Sequence, residues 1–338
     1  MSHYARLGVI GLGLMGERYG RVLGTLSACK LIAVSDLDGS KAHTVAARLG
    51  CANCSSDALI AHPDVDAVCV CTPEDTHADI ACAVLAAGKD LLVEKPLARS
   101  SAEARRIVST AEVSGRIAAV GHLLRFEPHY AAAYQRLQSG SIGEPLYALT
   151  WRESTRASAA TYISRSSVPM HLMVHDIDLL RWFSGAEVSR IQAACPRVPE
   201  RGTGIDGGEA VTAILELTNG MTATLMHSWA LPPLAPSPLR TGVRVVGTKG
   251  EVGVDFSLPA VAATGEAGHT HLLTEYYTEL PTAQLTGCLQ LQIEHFVHCV
   301  ATRTAPLVSL VDGLRAVEVA EGIQQAIEGQ HHVTLSHA

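Results

Sequence analysis

The first third of the chain alternates between two hydrophobic periodicities. Short apolar runs of strand length recur at RLGVIG, KLIAVSD, DAVCVCTP, DLLVEKP and RIAAVGHLLRF. Helical stretches lie between them, as in DTHADIACAVLAAG, where Ile80, Val84 and Leu85 follow helical spacing and Gly88 marks the end. Strands that alternate with helices form parallel βαβ units. This region is therefore predicted to fold as a doubly wound parallel sheet of the α/β class.

A glycine motif opens the first of these units. In VIGLGLMGERYG the glycines have the spacing G-x-G-x-x-G, directly after a strand and at the start of a predicted helix, and the next strand ends in Asp36. Such glycines permit a tight turn and close approach of a pyrophosphate, while the carboxylate binds the adenosine ribose hydroxyls. The predicted dinucleotide-binding residues are Gly11, Gly13, Leu14, Met15, Gly16 and Asp36.

The charge around Asp36 favours one cofactor over another. A carboxylate at this position repels a 2′-phosphate, so NAD is expected rather than NADP. Asp38 adds negative charge, whereas Lys41 and Arg48 keep NADP as the less favoured alternative.

Two further strand ends carry polar residues. Ligands of open α/β sheets bind beyond the carboxyl ends of the strands, where this sequence has CTPEDTH and VEKP. A charged pair, Glu94 and Lys95, directly after an apolar strand is costly to bury unless it serves a site, although a surface ion pair is the alternative. The predicted additions to the cofactor site are Thr72, Pro73, His77, Glu94 and Lys95.

Together these motifs resemble the Gfo/Idh/MocA family, the glucose-fructose oxidoreductase and inositol dehydrogenase group. The resemblance also covers Gly121-His122-x-x-Arg125-Phe126-x-Pro128 and His175-Asp176-x-Asp178. It implies a Rossmann NAD-binding domain over residues 1–122 and an α+β domain over residues 123–338. The second domain would bind the substrate. Its open, mainly antiparallel sheet would form the subunit interface of a homodimer or homotetramer.

The residues after position 140 support a second domain independently. Alternating or β-rich runs occur at PLYALTWRES, VSRIQAACP, EAVTAILELTNG, MTATLMHSWA and GVRVVGTKGEVGVDF. The tripeptide TNG between two of them predicts a hairpin turn. A chain of 338 residues also exceeds the usual size of one hydrophobic core.

A histidine-bearing helix is the second chemical centre. PMHLMVHDIDLLRWFSG carries a wide apolar stripe and closes at Gly185, with His171 and His175 on one face. The resemblance implies that His175 meets the substrate hydroxyl, and imidazole can accept its proton near neutral pH. A core histidine is the alternative.

His171 departs from the family pattern, in which inositol dehydrogenase-like members usually have an aspartate four residues before the histidine. A neutral imidazole cannot supply the same negative charge. His171 either hydrogen-bonds a substrate hydroxyl, binds a divalent metal together with His175, or has a structural role.

The predicted reaction is reversible hydride transfer between NAD and a secondary hydroxyl of a sugar, cyclitol or related polyol. Lys95 would bind the reacting oxygen, and His175 would accept the proton. Arg125 either caps the site, where it would bind substrate or cofactor, or forms a structural ion pair. Arg152, Arg156, Tyr162 and Arg165 are candidates for holding an acidic substrate, unless they belong to a solvated loop.

The sequence is also compatible with three other functions. They are imine or enone reduction, a retained NAD that takes part in sugar modification, and a catalytically silent nucleotide-binding regulator. Fold alone does not distinguish among them.

Composition excludes several partners. The net charge is -7 with no basic run, which argues against nucleic acid as a partner. No segment reaches the ~20 apolar residues of a membrane span.

The N-terminal MSHYARLGVIG enters a strand without a signal peptide, so a cytoplasmic location with reduced cysteines is expected. Cys51 and Cys54 form a C-x-x-C, but no second pair completes a zinc site, so no resident metal is predicted.

Overall fold

The chain divides into two units, each with its own sheet. The first comprises Met1–Phe126 and Tyr276–Arg315, and the second comprises Glu127–Glu275 and Ala316–Ala338. The first unit therefore includes a C-terminal segment that the sequence assigned to the second domain. The computed structural model describes residues 4–196, 209–232, 235, 237–258, 261–265, 268–272 and 278–336, with the backbone alone for 261–265 and 268–272.

Six strands of the first unit form one parallel sheet, which confirms the predicted doubly wound architecture. The sheet order is β3-β2-β1-β4-β5-β6, and the direction of winding reverses between β1 and β4. Dinucleotides bind at such a reversal point. The strands are β1 Ala5–Ile10, β2 Cys29–Ser35, β3 Ala52–Asn53, β4 Ala67–Val70, β5 Asp90–Val93 and β6 Ala118–Val120.

Helices connect these strands, and local signals set their ends. The Asp38 carboxylate caps α2 by accepting hydrogen bonds from the backbone N–H groups of Ser40 and Lys41. Gly50 and Gly115 end α2 and α5 in the left-handed conformation that glycine adopts without strain. The helices are α1 Leu14–Thr25, α2 Gly39–Leu49, α3 Ser56–Ala61, α4 His77–Ala86 and α5 Ser101–Ser114.

The remaining strands build the second unit, apart from one short pair. They are β7 Pro145–Thr155, β8 Val188–Ala194, β9 Ala210–Leu217, β10 Thr222–Leu231, β11 Leu239–Gly247, β12 Glu251–Asp255, β13 Val261–Gly265, β14 Gly268–Leu272, β15 Thr278–Glu279, β16 Leu285–Thr286 and β17 Val333–Thr334. A seven-stranded sheet has the order β12-β11-β7-β10-β9-β8-β17. Only the β7–β10 pair within it is parallel, so the predicted mainly antiparallel sheet is confirmed. The predicted TNG hairpin joins β9 to β10.

The later helices include the predicted histidine helix. Its first turn, Pro169–Met173, is a π-helical turn, and α-helical geometry begins only at Val174. Gly185 ends this helix in the left-handed conformation, as predicted. The helices are α6 Pro128–Gln138, α7 Arg156–Ala159, α8 Val174–Ser184, α9 Cys288–Thr302 and α10 Leu310–Gly329.

Helix α9 explains why a C-terminal segment belongs to the first unit. Its residues Leu289, Ile293 and Phe296 are buried in the same core as Leu7 and Val9 of β1. The apolar face of α9 therefore covers part of the parallel sheet. None of the helices within the described ranges is both long and apolar enough to cross a membrane.

Candidate active site

The glycine turn is shaped by close backbone contacts. Gly11 has a φ of 87°, and a Cβ there would lie 2.7 Å from the backbone nitrogen of Thr72. A Cβ on Gly16 would lie 1.7 Å from the carbonyl oxygen of Gly11. The Gly11 N–H also donates to the carbonyl of Ser35 at 2.8 Å. Only glycine fits at both positions, so the turn is held against the ends of β2 and β4.

Gly13 differs from the other two glycines. It caps the N-terminus of α1, and a Cβ there would have no protein atom within 4 Å. Its small size therefore leaves open space in front of the helix. The first two residues of α1 border this space, with Leu14 61% exposed and Met15 half-buried. A helix N-terminus offers N–H groups to an anion, so this opening fits a pyrophosphate.

Asp36 lies directly after β2 and is fixed by backbone amides. Its Oδ2 accepts the Leu12 N–H at 2.7 Å, and its Oδ1 accepts the Asp38 N–H at 3.0 Å. The Lys41 ammonium lies 3.5 Å from Oδ2. Burial alone would raise the pKa of Asp36, but the two amide hydrogen bonds and Lys41 outweigh it and lower this pKa. The side chain is thus a carboxylate at neutral pH, as ribose recognition requires.

His77 links two strand-end loops. It is buried, with Nδ1 2.9 Å from the carbonyl oxygen of Pro96 and Nε2 2.9 Å from that of Thr72. Burial lowers the pKa of His77 despite these carbonyl contacts. Thr72 is half-buried and Pro73 is exposed, so both lie at the surface of the loop. The buried His77 fixes this loop through its contact with the Thr72 carbonyl.

Glu94 and Lys95 follow β5 but have different surroundings. The Glu94 carboxylate is buried, accepting the Tyr19 hydroxyl at 2.7 Å and the Lys95 backbone N–H at 3.1 Å. Gln292 donates in turn to the Tyr19 oxygen at 2.8 Å. Burial raises the pKa of Glu94, although the Tyr19 hydroxyl and the Lys95 charge oppose it. Glu94 therefore anchors the backbone from which the partly exposed Lys95 side chain extends.

Arg125 is buried within the first unit. Its guanidinium lies 3.0 Å from the Asp312 carboxylate and donates to the Leu307 carbonyl at 3.2 Å. Of the two roles expected for Arg125, these contacts favour the structural ion pair.

In the second unit, His171 lies among aromatic rings. Its imidazole stacks on Tyr162, with centroids 4.1 Å apart and planes inclined by 29°. Trp229 of β10 meets the imidazole edge-on at 6.1 Å. The structure thus brings together two predicted substrate-binding residues, and it adds an aromatic residue that the motifs did not indicate.

His175 is half-buried in the first turn of α8, and the next residue is fully buried. The Asp176 carboxylate accepts the Nε–H of Arg152 at 2.8 Å and an Nη2–H at 3.3 Å. His227 Nε2 lies 3.4 Å from Asp176 Oδ2. Burial raises the pKa of Asp176 while Arg152 opposes that rise. Burial, then the Arg152 charge, lowers the pKa of His227 well below its usual value.

Two arginines that suggested an acidic substrate have carboxylate partners. Arg152 is paired with Asp176, and the half-exposed Arg156 donates to Glu209 at 2.9 Å. Arg165 lies over the Tyr162 ring at 5.5 Å. These pairings weaken the argument for an acidic substrate.

The described part of the chain holds neither an assembled metal site nor a disulfide. No cluster of three or more His, Cys, Asp or Glu side chains there could hold a metal ion. Cys51 and Cys54 flank the two-residue strand β3. Both are free thiols.

Sequence reasoning missed Tyr19, Gln292 and Trp229. Trp229 had a local signal, because buried residues alternate along β10 and place it two positions after the buried His227. Tyr19 and Gln292 had none, since they are 273 positions apart in the sequence.

Two family models match this chain. Residues 5–122 match the family model described as "Oxidoreductase family, NAD-binding Rossmann fold". Residues 130–253 match the "GFO/IDH/MocA C-terminal domain".

Relatives extend over nearly the full length. A Bacillus subtilis scyllo-inositol 2-dehydrogenase (NAD(+)) is 30% identical over 332 residues, covering 94% of this chain and 93% of that protein. A Rhizobium meliloti inositol 2-dehydrogenase is 26% identical over 336 residues, covering 98% and 99%. The crystal structure of Lactobacillus casei scyllo-inositol dehydrogenase with bound NAD(H) and scyllo-inositol superposes with a TM-score of 0.83 at 21% identity, covering 98% and 99%, and shows the same fold.

Proposed function

The chain belongs to the GFO/IDH/MocA family of NAD-binding oxidoreductases, and we propose that it transfers a hydride between NAD and a secondary hydroxyl or ketone of a cyclitol, sugar or related polyol. It is an NAD-dependent dehydrogenase of CH–OH groups. The observation that carries the proposal is the cradle formed by Gly11, Gly13 and Gly16, with the Asp36 carboxylate fixed beside it. The inositol dehydrogenases among its relatives support inositol as the first substrate to test.

We assign a role to each of the two predicted catalytic residues, Lys95 and His175. When bound, NAD supplies the hydride acceptor at its nicotinamide ring. Lys95 binds the reacting oxygen and favours its alkoxide character through its positive charge. His175 accepts the hydroxyl proton, directly or through Lys95, as the C–H bond breaks. In the reverse direction the same groups return a proton to the carbonyl oxygen.

The aromatic residues suggest a role in substrate binding. We assign Tyr162 and His171 to contacts with the polyol, His171 as a hydrogen-bonding group on an aromatic support. A neutral, hydroxyl-rich substrate matches a region in which Arg152 and Arg156 are already paired with carboxylates.

Assembly and location complete the proposal. Exposed apolar side chains of adjacent strands, namely Tyr147, Leu149, Ile214 and Met226, lie on one face of the seven-stranded sheet. Their solvent exposure supports a homodimer or homotetramer formed through this face.

The cytoplasm is the proposed compartment, since all nine cysteines are free thiols.

The direct test is NADH formation by the purified protein with a panel of polyols. The panel contains myo-inositol, scyllo-inositol, glucose and glycerol, each with NAD and with NADP. Turnover with at least one cyclitol or sugar is the expected result. NAD that stays bound without net reduction across the panel would instead favour a retained cofactor or a silent regulator.

A further inference from the structure

A buried ion pair, Arg152–Asp176, attaches helix α8 to strand β7. Both side chains are almost completely buried, at 2% and 0% exposure, and the pair makes two hydrogen bonds. Desolvation of two charges offsets most of their attraction, so apolar residues of similar size usually serve stability equally well. A buried bidentate pair does offer fixed geometry, because the guanidinium fork and the carboxylate are both planar.

That geometry bears on the neighbouring residue. Asp176 follows His175 in the first turn of α8, and successive α-helical residues are rotated by about 100° around the axis. Fixing Asp176 against β7 therefore fixes the direction in which His175 projects. The π-helical turn Pro169–Met173 directly precedes this point, so regular α-helical hydrogen bonding does not set the rotation from the N-terminal side.

His227 holds the same carboxylate from a second strand. It is opposite Arg152 in the β7–β10 register, and its Nε2 contacts both Asp176 Oδ2 and the Thr150 hydroxyl, at 3.4 and 3.2 Å. Burial and the Arg152 charge lower the pKa of His227, so the imidazole contacts the Asp176 carboxylate through Nε2 as a neutral group. Asp176 is thus located by groups from two adjacent strands.

We infer that Arg152 and Asp176 are positioning residues that orient the imidazole of His175 for proton transfer. The inference rests on the proposed function of His175. It assigns the buried pair to the alignment of the proposed base and not to the binding of substrate.

The test replaces the pair without leaving a buried charge. In the double variant Arg152→Met/Asp176→Leu, we expect thermal stability close to that of the wild type but kcat reduced by about 10-fold or more. NAD affinity stays unchanged. The matched control is Arg181→Met/Glu187→Leu, which removes a bidentate pair at the other end of α8. The control keeps the wild-type kcat.

A second readout does not depend on turnover. The imidazole resonance of His175, assigned by its loss in His175→Asn, should shift or broaden in the Arg152→Met/Asp176→Leu variant and stay unchanged in the control. Because it is measured without substrate, this signal separates failure of the positioning role from failure of the proposed function.

Arg152→Lys covers the case in which the double variant does not fold. It keeps the charge but loses the two-point contact, so it should show a smaller loss of kcat and a shifted His175 resonance. The inference is overturned if the folded double variant, or Arg152→Lys in its place, retains the wild-type kcat and the wild-type His175 signal.

Discussion

The Oδ2 atom of Asp36 accepts the backbone N–H of Leu12 at 2.7 Å, which ties the end of β2 to the glycine turn after β1. A single carboxylate therefore both shapes the turn and presents negative charge where an adenosine ribose would bind. Lys41, 3.5 Å from the same oxygen, offsets part of that charge.

The first prediction concerns cofactor choice. Asp36→Ser removes the charge that repels a 2′-phosphate and leaves Lys41 nearby to attract it. We expect the ratio of kcat/KM for NADP to that for NAD to rise by about 10-fold or more, equivalent to about 1.4 kcal/mol. Lys41→Ala in the Asp36→Ser background should reverse part of this gain. An unchanged ratio in Asp36→Ser would contradict the role of Asp36.

The second prediction compares two open glycines of the same region. A Cβ on Gly13 or on Gly24 would have no neighbouring atom within 4 Å, so alanine fits the protein at both positions. Gly13→Ala should fold normally but weaken NAD binding by about 10-fold or more, because its methyl group enters the space before α1. Gly24→Ala should leave NAD binding unchanged and stabilise α1 by about 0.5–1 kcal/mol. Calorimetric titration with NAD and thermal unfolding measure both effects. Equal NAD affinities in the two variants would show that Gly13 does not border the cofactor.

The third prediction concerns acid stability. Burial lowers the pKa of His77 in the folded state below the ordinary histidine value. As the pH falls below about 6.5, the unfolded chain takes up a proton that the folded state excludes. The stabilising contribution is therefore present above this pH and is lost as the pH falls, by at most about 1.4 kcal/mol per pH unit.

Urea unfolding at about pH 7.5 and about pH 5.5 measures this loss. His77→Gln should show a smaller drop in the free energy of unfolding than the wild type. The exposed His43 provides the control, and His43→Gln should behave like the wild type. If His77→Gln loses as much stability as the wild type, the buried imidazole is not the source.

Much of the fold and part of the site could be predicted from local patterns. Some signals are features of short segments: the glycine spacing, Asp36 and the alternation of strands and helices. They predicted the parallel sheet and the edge of it at which the cofactor would bind. The Tyr19–Gln292 contact and the Arg125–Asp312 pair join distant segments, so no local spacing could indicate them. The π-helical turn before α8 was not predicted, because its apolar pattern resembles that of an ordinary α-helix.

The fourth prediction concerns the sheet face of the second unit. Leu149, Ile214 and Met226 are 40–53% exposed on neighbouring strands, and a second copy of the chain would cover them. Leu149→Lys/Met226→Lys should shift the protein to monomers in light scattering coupled to gel filtration, with its circular dichroism unchanged. As a control, Leu37→Lys alters an exposed residue of the first unit and should leave the assembly intact. The same mass for all three proteins would exclude this face as the interface.

We propose that Lys95 and His175 act on one substrate hydroxyl, and a double-mutant cycle tests this proposal most directly. The values of kcat/KM are measured with NAD and inositol for the wild type, Lys95→Ala, His175→Asn and the double variant, with NAD affinity as the control for folding. Each single variant should lose about 100-fold or more, and the double variant should lose little beyond the worse single one, because the two groups serve the same proton transfer. Losses that multiply in the double variant would contradict the account, since the two residues would then act independently.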